Sequence, residues 1–352
     1  MGAGAAAALI DRTEVLARAA TGCQATPFLP LVPLTTPTAS DQFVDARPAF
    51  SADGKTVIFM RGPLATQGEP SSFYTISIDG GEPELIEPIG VPSHLSLTRP
   101  DWSWRRRSFQ IAFEGDLPEQ DGMPKQQNIY RLDAATSQCK LLLRGFPDRN
   151  EVYSYPSWYP DGQSLSITNY WAELNSMSGC GEDQNPQPFL LRRGVFGTTI
   201  APLTRPRRIW PGMSSVAQNP SWTSPLIAFA GEKPVPDGVY CQNDNQIWIR
   251  SPFGGLRQVD GLQGRSPWWS PGGALIAFES NRCTGGGGHF QIFIQSPFVP
   301  ALIFPVTDPQ TPVQHAKWSP DARKLVLAYQ AGGNGWGVAY VDLSHHPVAS
   351  LL

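Results

Sequence analysis

The chain has little charge and no long apolar run, and both shortages narrow the range of possible partners. Charged residues make up 16% of its 352 residues, and the formal net charge is −3. Basic residues cluster only at 105–107 and 205–208. A nucleic-acid binder needs a basic face for the phosphates, so nucleic acid is not an expected partner. No segment approaches the roughly 20 apolar residues of a membrane-spanning helix, so no transmembrane segment is expected.

Common catalytic and metal-binding motifs are also missing. The chain has no Gly-x-Ser-x-Gly elbow, no His-Glu-x-x-His and no phosphate-binding loop. It has five histidines and five cysteines, without the Cys-x-x-Cys or His-x-x-x-His spacing typical of zinc sites. We therefore expect neither a metal nor a cofactor.

What the chain does contain is a segment that recurs six times with the same internal order. Five copies have a proline two residues before an aromatic residue, and most continue with turn residues and a second apolar run. The six aromatic residues are Phe50, Trp102, Trp158, Trp222, Trp269 and Trp318. They lie roughly 47 to 64 residues apart, the period of a small sheet repeated around an axis.

Third and fourth apolar runs follow in each unit, with almost no helical periodicity. The sequence therefore predicts an all-β fold, a six-bladed β-propeller with four antiparallel strands per blade. An aromatic residue present in every unit serves the repeat, so we expect each one to pack between neighbouring blades and not to bind a ligand.

These segments resemble the PD40 repeat of TolB-like propellers, whose pattern runs Pro-x-Trp, Ser-Pro-Asp-Gly and an Ile-Ala-Phe-like strand. The match is best at 158–167, 269–278 and 318–327, and it extends from about residue 35 to the end. Blade two departs at 104–107, where the Asp-Gly turn should be, and blade four shortens this turn to Ser224-Pro225. The resemblance implies architecture alone, since such propellers serve as binding proteins, peptidase domains and lyases.

The resemblance divides the chain into a short N-terminal extension, 1–34, and the propeller, 35–352. Residues 1–20 suit a short helix or the remnant of an export signal, and Ala20-Thr21-Gly22-Cys23 resembles a lipoprotein cleavage box. The outer strand of blade six could come from 28–34 or from 347–352, and both remain open.

Three cysteines, Cys180, Cys241 and Cys283, occur in loops of three successive blades. We expect one disulfide, with Cys241 bonded to Cys180 or Cys283, because loops of adjacent blades lie closest. A disulfide would suit a periplasmic or secreted protein. The alternative is a set of free thiols in a cytoplasmic protein.

Function is expected on one face. The loops between second and third strands are long in blades one to five, and they share a face with the connections between blades. Long loops in a compact β domain are usually functional. The side chains expected to bind a ligand there are Trp171, Tyr240, Arg282, His289, Tyr155 and Trp210.

Catalysis is the alternative to binding. His94, His289 and His315 could meet Glu114, Glu232 or Glu279 at the channel mouth and supply a general acid or base. The simpler interpretation is that each glutamate caps a neighbouring loop, and that His345-His346 is exposed on the opposite face.

The sequence therefore predicts a monomer that binds a small molecule or protein segment in the channel mouth. A lyase, hydrolase or cyclase acting on an apolar substrate is the alternative.

Overall fold

The computed structural model describes most of the chain, including all six repeats at least in part. The described residues are 28–38, 43–63, 70–103, 109–117, 126–145, 152–158, 164–172, 184–194, 197–202, 213–218, 226–232, 245–250, 256–283, 289–299, 302–332 and 335–351. The predicted N-terminal helix and Cys23 lie outside them.

Twenty-four strands follow one another in the described part of the chain. The first half of the order is β1 Val32–Pro33, β2 Phe43–Phe50, β3 Thr56–Pro63, β4 Ser72–Ser77, β5 Glu84–Ile86, β6 Ser96–Trp102, β7 Gln110–Leu117, β8 Gln126–Asp133, β9 Gln138–Leu143, β10 Val152–Trp158, β11 Ser164–Ala172 and β12 Gln184–Gly194. The second half is β13 Gly197–Pro202, β14 Met213–Gln218, β15 Ile227–Glu232, β16 Asn245–Arg250, β17 Leu256–Gln263, β18 Arg265–Trp269, β19 Ile276–Ser280, β20 Gln291–Gln295, β21 Ile303–Pro305, β22 Val313–Trp318, β23 Lys324–Gly332 and β24 Gly335–Asp342.

These strands form six four-stranded antiparallel sheets, which confirms the predicted six blades. Blades one to five are β2–β5, β6–β9, β10–β13, β14–β17 and β18–β21, and blade six is β22–β24 completed by β1. The described residues contain no α-helix, and one 3-10 turn, Pro347–Leu351, follows the last strand. Tight turns such as Ala52-Asp53-Gly54 make this succession possible, because Gly54 adopts a φ of 72° that suits glycine.

The N-terminal strand closes the ring. β1 pairs with β24, and the backbone amide of Leu34 donates to the Val338 carbonyl over 2.8 Å. The Thr35 hydroxyl accepts a hydrogen bond from the Val338 amide, and the Thr35 carbonyl accepts one from the Tyr329 hydroxyl. A Cβ on Gly337 would lie 2.5 Å from the Thr35 carbonyl oxygen, so glycine is needed for this close approach. Because β1 occupies the edge of β24, the C-terminal segment does not supply the outer strand of blade six.

The repeated aromatic residues pack between blades, as predicted. Trp318 of blade six belongs to one hydrophobic cluster with Ala277 and Ile292 of blade five, and its indole N–H donates to the Trp268 carbonyl over 3.1 Å. Trp158 of blade three packs against blade two in the same way, and its indole donates to the Asp101 carbonyl over 3.0 Å.

The other described aromatics repeat this arrangement. Trp102 packs on blade one, Trp269 on blade four and Phe50 on blade six, and all three are buried. In blade four the inner strand ends at Gln218, and Trp222 lies outside the described residues.

His346 departs from its predicted exposure. It is 3% exposed, its ring meets the edge of Phe304 at a centroid distance of 5.9 Å, and its Nδ1 accepts from the Val348 amide. The 3-10 turn folds back on blade six and encloses the ring, whereas His345 is exposed. Burial disfavours the imidazolium and lowers the pKa of His346 to about 4.

Acid should therefore weaken the fold through His346. Its folded pKa lies below the ordinary value of 6.5, so the unfolded chain takes up the proton first, and the contribution of the neutral ring is lost as pH falls from 6.5 towards 4. We expect about 2 kcal/mol of this contribution to disappear between pH 7 and pH 4.5. Urea unfolding of the wild type and His346→Phe at both pH values measures it, with His345→Gln as the exposed control. Equal pH dependence in wild type and His346→Phe would contradict the assignment.

Candidate functional site

A backbone bulge interrupts the inner strand of five blades at the same place. In blades one, two, three, five and six the pairing register shifts at the residue before the repeat's proline or its replacement. These residues have φ between 50° and 59°, and we call them the bulge residues: Arg47, Arg99, Tyr155, Ser266 and His315. A left-handed φ in a non-glycine residue costs on the order of 1 kcal/mol or more and often marks a functional site.

All five bulge residues line one pocket where the inner strands meet, which we call the channel pocket. Its volume is about 60 Å³. The other lining residues are Pro156, Pro267, Trp268, Ala316 and Lys317. One repeated backbone feature thus presents two guanidinium groups, a phenol, a hydroxyl and an imidazole to the same space.

Arg99 is held by a buried glutamate. Its Nη1 donates to Glu114, which is fully buried and also accepts from the Ser154 hydroxyl and, over 3.0 Å, from Gln127 Nε2. The guanidinium lies 4.3 Å from the centre of the Tyr155 ring, a cation–π distance. Glu114 therefore neutralises Arg99 and ties blade two to blade three.

Glu279 has the equivalent place in blade five and a similar role. It accepts from Arg265 Nε over 2.7 Å and from the His315 backbone amide of blade six over 2.7 Å. Both glutamates thus support the bulge region of the next blade, which agrees with the capping interpretation. Glu279 bonds the backbone of His315 and not its ring, and the Nδ1 of that ring has no hydrogen-bond partner among the described residues, so Glu279 and His315 do not form the predicted acid–base pair.

Lys317 crosses from blade six to blade two. Its Nζ donates to the Pro100 carbonyl over 2.7 Å and to Asp101 Oδ1 over 3.3 Å, and it lies 4.1 Å from the centre of the Trp268 ring. The second oxygen of Asp101 accepts from the Trp158 amide. Burial lowers the pKa of Lys317, and the Asp101 charge opposes that shift. One ion pair therefore joins four blades across the wall of the channel pocket.

Arg47 has no such partner. Within the described residues no carboxylate pairs with it, because Asp45, the acidic residue of the same strand, is bound by the Nε and Nη2 atoms of Arg61. Burial and the nearby charge of Arg99 lower the pKa of Arg47 to about 10. Burial and the surrounding cations, Arg47 first among them, also lower the pKa of His315 well below its ordinary value, so its ring is neutral at pH 7. The charges of Glu114 and Glu279 act on Arg47 in the opposite direction, but neither carboxylate forms an ion pair with it, so the channel pocket has one guanidinium without a direct carboxylate partner among the described residues.

The architecture has clear counterparts among solved structures. TolB from Acinetobacter baumannii is similar at a TM-score of 0.55 and 17% identity, with 82% of this chain and 64% of that chain covered. A protein of unknown function from Dyadobacter fermentans reaches 0.58 at 12% identity, covering 90% of this chain and all of that chain. An oligogalacturonate lyase in complex with manganese is similar at a TM-score of 0.50 and 13% identity, with 91% of this chain and 99% of that chain covered. The fold is that of a TolB-like β-propeller.

Sequence comparison adds no family to this likeness. No family model matches the chain, and no curated protein matches it. The propeller spans about two thirds of the length of the Acinetobacter TolB, so any activity of that whole protein is not transferred by the fold. Among the described residues of the propeller no helix is long and apolar enough to cross a membrane.

The propeller brings only some of the predicted site residues together. Tyr155 and His315 line the channel pocket, with Glu114 and Glu279 behind it as ion-pair partners. His94, Arg282 and His289 are exposed and do not line the channel pocket. Tyr240 and Trp210 lie outside the described residues, and the side chains of Trp171 and Glu232 are not described either.

Trp171 does not lie in a loop. β11 continues to Ala172, and Trp171 pairs with Asn185 of β12. Strand pairing extends beyond the apolar run because backbone hydrogen bonds do not require apolar side chains. The connections between second and third strands accordingly shorten to 64–71, 118–125, 173–183, 233–244, 281–290 and 333–334.

Sequence reasoning missed Arg47, Arg99, Ser266, Trp268 and Lys317. A signal for the first three was present, because each stands directly before the repeat's proline, where the residue type changes from blade to blade. A position that varies inside an otherwise repeated motif is a candidate for function.

The cysteines differ in state. Cys283 forms a disulfide, and its partner lies outside the described residues, as does Cys241, the predicted partner. Cys139 is a free thiol in blade two, and burial raises its pKa to about 11. A thiol that remains protonated at neutral pH is a poor nucleophile or metal ligand.

Proposed function

We propose that this protein is a binding propeller that holds a small molecule or a protein segment in the channel, entered from the face with the long loops. The observation that carries this proposal is the convergence of the five bulge residues on one pocket. The strained backbone recurs from blade to blade, yet its side chains differ in charge and hydrogen-bonding capacity. Repetition of the fold requires the backbone feature but not this particular mixture of groups, which is typical of ligand sites.

We place the protein outside the cytoplasm, in the periplasm or secreted, as a monomer. The disulfide of Cys283 supports this location, because disulfides persist mainly in oxidising compartments. We further propose Tyr240 as one of the side chains that contact the ligand. Trp171 and Trp210 are further candidates for contact with the ligand.

An enzymatic role is less well supported. The lyase among the similar structures shares the fold at 13% identity, and a shared fold at this identity does not imply a shared reaction. A general base normally has a second group that orients it, and the Nδ1 of His315 has no hydrogen-bond partner among the described residues. Glu114 and Glu279 are already engaged by arginines and by the adjacent blades.

Filling the channel pocket should abolish binding. Ser266→Tyr places a phenol at a bulge position whose equivalent in blade three is already Tyr155, so the backbone can accept it. We expect small molecules and peptides that bind the wild type in ligand-observed NMR to lose their signal with Ser266→Tyr. Ser350→Tyr, on the exposed C-terminal turn, should retain them. Ligands that bind equally to all three proteins would contradict a channel site.

Tyr240→Ala tests the entrance independently. It should lower the affinity for the same ligands by about fivefold, because one aromatic contact contributes on the order of 1 kcal/mol to binding. The thermal midpoint should remain nearly unchanged.

A further inference from the structure

We propose that the channel pocket is a carboxylate site in which Arg47 is the anchor. This inference rests on the proposed function and adds the chemical class of the ligand. The ligand would be a small carboxylate or the C-terminal carboxylate of a polypeptide, since both present the same group to the pocket.

Among the described residues, the charges around the channel pocket do not balance. Arg99 is paired with Glu114, Arg265 with Glu279 and Lys317 with Asp101. Arg47 is the remaining cation of the described lining, and Asp45 is bound by Arg61, whose guanidinium packs over Phe43 and Tyr74. A partly buried charge without a partner is unfavourable, so the site gains stability when an anion enters.

The size of the excess charge favours a monoanion. One unpaired guanidinium matches one carboxylate, and its two parallel N–H groups fit the two oxygens. A phosphate dianion would bring a second negative charge that the described lining does not neutralise, because the His315 ring is neutral at pH 7. The pocket therefore suits a carboxylate better than a phosphate.

The dimensions and the remaining walls agree with a carboxylate end group. A volume of about 60 Å³ accommodates about four to six water-sized groups, enough for a carboxylate and a few further atoms. His315 Nδ1 is buried without a hydrogen-bond partner among the described residues and would supply a second polar contact. Trp268, Pro156 and Pro267 offer apolar surface to the atoms next to the carboxylate.

The test uses trifluoroacetate as the probe, with its neutral analogue trifluoroacetamide, followed by ¹⁹F NMR line broadening on the full chain. We expect trifluoroacetate to bind the wild type and trifluoroacetamide to bind about tenfold more weakly or not at all. Arg47→Gln should weaken trifluoroacetate binding by about tenfold or more, and Arg47→Lys should restore part of it. Arg323→Gln removes the same charge from an exposed turn and should leave binding unchanged.

Competition then identifies the source of the carboxylate. Displacement of trifluoroacetate by propionate but not by a hexapeptide with a free C-terminus indicates a small-molecule ligand. Displacement by that hexapeptide but not by its C-terminal amide indicates a chain end. Both outcomes support the carboxylate site.

Three outcomes would overturn it. These are equal binding of the two probes, an Arg47→Gln variant that folds by circular dichroism and binds trifluoroacetate like the wild type, and no binding of trifluoroacetate at all. None of them removes the proposed channel site, which fails only if ligands found in the NMR screen are insensitive to Ser266→Tyr. The two failures are therefore distinguishable.

Discussion

Trp318→Ala should reduce the free energy of unfolding by about 3 to 5 kcal/mol, since a fully buried indole leaves a cavity that its neighbours fill only in part. Trp318 is 1% exposed and packs between blades five and six. The loss should appear as a lower urea midpoint with little change in slope.

Trp318→Phe is the matched control for this substitution. It retains an aromatic ring, as Phe50 does in blade one, but removes the hydrogen bond to the Trp268 carbonyl. We expect it to lose about 1 to 2 kcal/mol. A loss below about 1 kcal/mol for Trp318→Ala would mean that the indole does not join the two blades.

Lys317→Met should destabilise the propeller by a comparable amount, about 3 to 5 kcal/mol, because it leaves the Asp101 carboxylate buried without its cation. Asp101 is 2% exposed, and the Trp158 amide is the other described group that hydrogen-bonds its side chain. Methionine preserves most of the apolar stem of lysine, so the effect reports mainly on the charge.

Two comparisons separate the ion pair from general damage. The double variant Lys317→Met with Asp101→Asn should recover most of the loss, because no buried charge remains. Burial already raises the pKa of Asp101, and loss of Lys317 removes a charge that opposes this shift. A carboxyl group with a raised folded pKa takes up a proton in the folded state first, so the defect of Lys317→Met should shrink as pH falls from 7 to 5. Failure of both the double variant and the lower pH to reduce the loss would contradict a buried, charged Asp101.

The blades could be predicted because their signals are local. A proline, an aromatic residue two positions later, a tight turn and a second apolar run all occur within about 20 residues, and each copy predicts its own strands. The interblade role of Trp158 and Trp318 could also be predicted, because a residue present in each blade must satisfy the contact that each blade makes.

The candidate site was predicted only in part. The sequence predicts Tyr155 at the mouth of the channel, and Tyr155 lies in the channel pocket, whereas no known catalytic motif indicates Arg47 or Lys317. The sequence predicts Trp171 in a loop, but its strand continues beyond the apolar residues that mark it. It also predicts an exposed His346, because nothing nearby in the sequence indicates that a 3-10 turn folds over its ring.

The sequence by itself determined the number of blades, their strand order and the aromatic contact between neighbours, because those depend on patterns repeated within each unit. Only the tertiary structure decided that β1 and not the C-terminal segment closes blade six, that Lys317 reaches Asp101, and that Arg47 remains without a carboxylate partner among the described residues. The physical reason is ring closure: it brings residues more than 200 positions apart into hydrogen-bonding distance, and the pairing of charges there depends on side-chain geometry that no local pattern specifies.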